Sequence, residues 1–122
     1  MCAETFETIL TIAKWSEETF GDNITLEGQL EKYEDEFGEW LDSDRNDIME
    51  LADMAIVTIS IARFSITDAL RCFGEIKEEA CYSNFNLGEL EEAIKKKMKI
   101  NRQRKWSIGK GNFQHISEGE EE

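Results

Sequence analysis

Four carboxylates stand in two pairs at a spacing that chemistry can use: Glu36 and Glu39 in "EFGE", then Glu50 and Asp53 in "ELAD". A separation of three puts both members of a pair on one face of a helix. The second pair opens a segment, residues 47 to 64, that turns apolar almost without relief after Asp53. Burying such acids without partners costs several kcal/mol each, so they need company. Four carboxylates packed together repel strongly unless cations lie among them. Hard oxygen donors with no neighbouring His or Cys point to magnesium or manganese rather than zinc. Each pair also has an ordinary explanation. Exposed glutamates are common, and acids in the first turn of a helix complement its dipole.

Positioning these groups falls to helices. Residues 3 to 19 read as a first helix, with Phe6, Ile9, Leu10 and Ala13 on one face and Trp15 projecting from the other side. "FGDNIT" breaks the pattern and offers Thr25 as an N-cap. Residues 26 to 42 carry the cleanest apolar stripe, Leu26, Leu30, Tyr33, Phe37, Trp40 and Leu41, with Glu36 and Glu39 along one edge. Glu27, Glu31 and Glu34 point to solvent. After the turn "DSDRND", residues 46 to 64 form a third helix, apolar all round beyond Asp53 and therefore central. The short turn makes helices two and three antiparallel, so the acid pairs face each other. "SITD" starts a fourth helix with Ser65 as cap, reaching about Tyr82. "NLGE" is a capping box, Asn86 with Glu89, opening a fifth helix through Leu90, Ile94 and Met98 as far as Trp106. The expected architecture is all-α, a bundle of four to five helices in one domain over residues 1–108, followed by a polar acidic tail over 109–122.

Composition supports this. The 122 residues contain no proline, which suits helices, and 27 acids stand against 14 bases. Such a chain does not coat nucleic acid or anionic membrane non-specifically. Eleven of the acids fall between Glu27 and Asp53, and seven of the bases between Lys95 and Lys105. Two poles of opposite charge in one small domain suggest that they meet, directly or around a ligand bearing metal and anionic groups. The three cysteines, Cys2, Cys72 and Cys81, form no C-x-x-C pair and read as reduced thiols of a cytoplasmic protein. No signal peptide is evident, and the apolar run after Asp53 is shorter than the roughly 20 residues of a membrane span.

With these motifs in view the chain resembles the all-α NTP pyrophosphatases, the MazG-like superfamily. The carriers are E-x-x-E as Glu36-Phe-Gly-Glu39 and E-x-x-D as Glu50-Leu-Ala-Asp53. "WSEETFG" at 15 to 21 and "KMKINRQRKW" at 97 to 106 are similar to its small phage-type members, and the resemblance runs from about 13 to 106. A second register sets Tyr33 in the first glutamate's place and Glu36 in the second, and Asp35 is a further oxygen donor beside them. Residues 71 to 85 look like an extra helix or lengthened loop relative to the smallest relatives.

The resemblance implies metal-dependent hydrolysis of a nucleoside triphosphate, with purine deoxynucleotides (dGTP or dATP) suggested by the phage-type members, to the monophosphate and pyrophosphate. It implies Mg2+ or Mn2+ on Glu36, Glu39, Glu50 and Asp53, and a homo-oligomer, dimer or tetramer, in the cytoplasm (the host's, for a phage protein). The apolar third helix agrees with an oligomer, because so small a monomer would struggle to cover it. Lys97, Asn101, Arg102, Arg104 and Lys105 are the candidates to hold the phosphates. Trp15 or Trp106 would stack on the base. Two other classes fit the acidity: a non-catalytic helical protein that binds a partner, in the extreme a DNA mimic, and a family member that binds nucleotide without hydrolysing it.

Overall fold

The computed structural model describes the backbone of residues 3–109 and 112–116 and the side chains of residues 7–104. Five α-helices build it: α1 (Ala3–Phe20), α2 (Leu26–Asp42), α3 (Ile48–Ala62), α4 (Ile66–Tyr82) and α5 (Leu87–Asn101). A 3-10 turn at Gly21–Asn23 joins α1 to α2.

The helix starts follow local side-chain chemistry. Thr25 accepts from the Gly28 amide at 3.0 Å, and Ser65 from the Asp68 amide at 3.2 Å. Asn86 and Glu89 satisfy each other's backbone amides at 2.8 and 3.0 Å, a complete capping box. Asp47 caps α3 by accepting from the Met49 amide. The α2–α3 turn is tight. Asp44 and Arg45, neither of them glycine, both take the left-handed conformation, with φ of 58° and 55°. Gln29 meets Ser60 at 3.4 Å while Glu39 lies beside Glu50. Low numbers on α2 thus oppose high numbers on α3, and the two helices are antiparallel.

α3 is the axis of the bundle. Leu51, Ala52, Met54, Ala55, Ile56, Thr58, Ile59, Ser60 and Ile61 are all buried, and α1, α2, α4 and α5 pack around it. A helix apolar on every face has no other stable place in water. Its main cluster joins Leu51, Met54 and Ile61 to Tyr33 and Trp40 of α2 and to Cys72 and Ile76 of α4. A second cluster sets Ile56 and Ile59 against Ile12 and Met98.

Three expectations are corrected. α3 is covered by helices of its own chain, so its apolarity no longer argues for an oligomer. The cover comes from α1, α2, α4 and α5 together, α4 being the helix expected from Ser65 to about Tyr82 and including most of the segment 71 to 85. Among the described residues of α1, Ile12, Ser16 and Phe20 are buried, and Ile9 and Ala13 pack against the same cluster as expected, but Leu10 is exposed and leaves the inward face; the Phe6 side chain lies outside the described ones. Finally, α5 stops at Asn101 rather than Trp106. Lys105–Gly109 (β1) pairs antiparallel with Asn112–Ile116 (β2), Trp106 opposite His115, so an element stands across the start of the expected tail. No described helix is long and apolar enough to cross a membrane.

Candidate active site

Glu36 and Glu39 lie on consecutive turns of α2, and Glu50 on the first turn of α3. The antiparallel pairing brings them together: one carboxylate oxygen from each lies within 4.8 Å of the others. Glu36 is buried, Glu50 half-buried and Glu39 exposed at the rim. Glu36 Oε2 and Glu50 Oε2 are both buried and have no hydrogen-bond partner among the described residues. Asp53 stands one turn along α3 from Glu50. It lies outside the close triad, with Oδ2 on Lys97 Nζ at 3.2 Å. Of the four acids expected at a metal, three converge and the fourth adjoins them through its charge. Tyr33 faces the core and Asp35 faces solvent, so the register that replaces Glu36 by Tyr33 has no geometric support.

The electrostatics record the crowding. Burial, then the Asp53 charge and the nearness of Glu39, push the Glu36 carboxyl up to about 8, against a smaller pull from Lys32. Burial and the charges of Asp53 and Glu39 push Glu50 up to about 7, with Lys97 opposing. Asp53 is raised by burial, and Lys97 and Arg104 work against that. Carboxyls that keep protons near neutral pH are short of positive charge. A divalent cation supplies it, and the donors, all carboxylate oxygens, are the type that magnesium and manganese take. The residues fit such an ion.

Beside the acids runs a cleft between α1, α2, α3 and α5. Trp15 and Phe20 form one end, their rings edge to face at 5.3 Å. Gln29, Ser16 and Ser60 make a buried polar strip along its wall, with the two hydroxyls 3.1 Å apart. Lys32, Glu36, Asp53 and Asn101 line the other end. Lys32 Nζ contacts Glu36 Oε1 at 3.2 Å.

The basic motif divides on folding. Lys97 and Asn101, one turn apart on α5, face the acids and the cleft. Arg104 joins them by donating to Asn101 Oδ1 at 3.4 Å. Arg102 points the other way, into an exposed groove with Glu7, Thr11 and Lys95. The side chains of Lys105 and Trp106 lie outside the described residues; their backbone starts β1. Trp15, a candidate base stacker, lines the cleft. Lys32, Gln29, Ser16 and Ser60 were missed. A signal existed, since Gln29, Lys32 and Glu36 recur at i, i+3, i+7 along one helix face. No family model, curated protein or solved structure matches the chain.

Proposed function

We propose that this chain hydrolyses nucleoside triphosphates, purine deoxynucleotides (dGTP or dATP) foremost, to the monophosphate and pyrophosphate. Glu36, Glu39 and Glu50 would hold Mg2+ or Mn2+, with Asp53 alongside. One observation carries the reading: within a converging triad, two buried carboxyl oxygens, Glu36 Oε2 and Glu50 Oε2, lack a hydrogen-bond partner among the described residues. A buried carboxyl oxygen without a partner calls for an explanation, and a cation still to bind is one. When bound, the metal neutralises phosphate charge and acidifies a water for attack on phosphorus.

The chain's own groups divide the remaining work. Glu39, the exposed member of the triad, would take a proton from the attacking water. Lys97, Asn101 and Arg104 approach from α5 and the turn after it, where they offer donors to the phosphate oxygens. Trp15 supports a base in the apolar end of the cleft. A dimer or tetramer belongs to the same reading, and exposed Ile66 and Leu70 on α4 give it apolar surface.

The test is product analysis by ion-exchange chromatography, with the common NTPs and dNTPs and either metal, for the wild type beside Glu50→Gln. Monophosphate plus pyrophosphate from the wild type, lost in the variant, is the expected result. Diphosphate plus phosphate would place the attack at the wrong bond. A second reading has one observation in its favour: Lys97 on Asp53 and Lys32 on Glu36 already supply internal counter-charge. On that reading the chain binds nucleotide without hydrolysing it, and the same assay gives no product while nucleotide still raises Tm.

A further inference from the structure

Arg63 closes α3 outside the cleft, one turn beyond Ser60 of the cleft wall, and its own amide bonds the Ser60 carbonyl at 3.2 Å. Its guanidinium reaches across to the turn that joins α1 to α2. Nη1 donates to the Gly21 carbonyl at 2.6 Å and Nη2 to Asp22 Oδ1 at 3.3 Å. The Asp22 side chain is fully exposed, so that ion pair contributes little. The Gly21 carbonyl is the anchor that matters, because a charged donor on a main-chain acceptor makes a short, strong hydrogen bond. The guanidinium also lies over the Phe64 ring, 5.1 Å from its centre, which limits its swing.

What is anchored is the aromatic end of the cleft. Gly21 follows Phe20 directly, and Phe20 is buried edge to face on Trp15. Gly21 takes φ of 55° with open space where a side chain would stand, so glycine serves the backbone conformation of the turn and not a lack of room. Such a residue is free to take many conformations, and the turn keeps this one where something outside it holds on. Inside the cleft, Ser60 meets Ser16, the neighbour of Trp15, at 3.1 Å. The last turn of α3 thus ties α1 and the turn after it at two points, Ser60 to Ser16 within the cleft and Arg63 to Gly21 outside it. Phe20 lies between those points in the chain, and Trp15 beside the first. The two ties fix how far the aromatic rings stand from α3, and that distance is the width offered to a flat ring.

We propose that Arg63 is a positioning residue, which sets the width of the aromatic end and so the affinity for the nucleoside part of a nucleotide while staying clear of the ligand. The inference rests on the nucleotide reading above. The triad lies at the other end of the cleft, and a ring is gripped alike in the ground and transition states. Loss of the clasp therefore raises KM and spares kcat.

Two measurements on the full chain test it. In protein labelled with 5-fluorotryptophan, the fluorine signals are assigned by replacing Trp15, Trp40 and Trp106 in turn with Phe. Arg63→Ala should shift and broaden the Trp15 signal and leave that of Trp40, in the core toward α4, in place. Arg63→Lys, which still reaches the Gly21 carbonyl, should return most of the wild-type signal. With Mg2+ and dGTP, Arg63→Ala should raise KM, or the Kd of dGTP if the chain binds it without turnover, about tenfold with kcat within about twofold. An unmoved Trp15 signal in Arg63→Ala would overturn the proposal whatever the chain hydrolyses. So would a fall in kcat at constant KM, or an unchanged Kd. A wild type that neither binds nor hydrolyses any nucleotide removes the nucleotide reading instead, and a Trp15 signal that still depends on Arg63 then upholds the clasp as what shapes the cleft.

Discussion

The two faces of α2 are built on opposite principles. On the back, toward α4, each polar group has a partner. Tyr33 donates to Glu75 Oε1 at 2.8 Å, Trp40 Nε1 to Glu79 Oε1 at 2.9 Å, and Arg45 Nε to the same Glu79 oxygen at 2.7 Å. Cys72, Glu75 and Glu79 of α4 thus meet Tyr33 and Trp40 of α2 over two turns. The Trp40 and Arg45 donors favour the charged carboxylate, and Glu79 titrates below its ordinary range despite its burial. On the front, toward α3, three carboxylates crowd together and two buried oxygens go unpartnered. The back stabilises the fold. On the proposed reading the front holds free energy in reserve for a ligand, and α4 braces the helix that bears the crowded acids.

Substitutions on the two faces should therefore act in opposite senses. The largest effect is expected in front: Glu50→Gln should lower triphosphate turnover at least about 100-fold, since even outer-shell changes at metal sites cost about 10–100-fold. Unimpaired turnover would show that the triad is not the reacting centre. Next comes the back. Glu79→Ala strips a partner from the Trp40 indole and from Arg45 and should cost about 2–3 kcal/mol in denaturant unfolding. A loss below about 0.5 kcal/mol would mean that α4 does not brace α2 through this residue.

A smaller effect comes from pH in metal-free protein. Glu36 and Glu50 keep their protons to about 8 and about 7 when folded, against an ordinary glutamate value of 4.5. Between those limits the folded state binds more protons than the unfolded one, so stability falls as pH rises. The contribution is complete below the ordinary value and is lost as pH passes through 7 to 8. Tm measured in EDTA should drop across that window, and Glu36→Gln should flatten the slope. A Tm that climbed with pH over the same range would contradict the assigned shifts. The smallest effect belongs to neither face: Asn86→Ala removes a cap far from the triad, should cost about 1 kcal/mol, and should leave turnover unchanged.

Much of the fold could be read from local chemistry, because a cap needs only a few consecutive residues. Thr25, Ser65 and the Asn86–Glu89 box each start the helix they were expected to start. The facing of the acid pairs could also be read, since a short turn between two helices leaves few ways to pack them. The rest depended on tertiary contacts. Leu10 looked like core by spacing, yet α1 meets α3 through Ile12, and no window of sequence reports which of two neighbouring apolar faces the bundle selects. The central place of α3 and a fourth helix to about Tyr82 were both legible, but not that the helices of one chain suffice to cover α3, which is a matter of tertiary packing. Where α5 ends was missed for want of glycine or proline at the break, although "KWSIG" and "NFQHI" around a glycine-bearing link carry a hairpin pattern. Lys32, Gln29, Ser16 and Ser60 were not singled out, because the cleft they share exists only once α1 and α3 pack against α2.

The most direct test of the contrast is thermal unfolding of the wild type and Glu50→Gln, each in EDTA and in Mn2+. An amide at position 50 removes one of the crowded charges and can donate to its neighbours. The account predicts that Glu50→Gln melts higher than the wild type in EDTA and gains little from Mn2+, while the wild type gains several degrees. A Glu50→Gln variant that melted lower in EDTA, or gained as much from Mn2+ as the wild type, would contradict it.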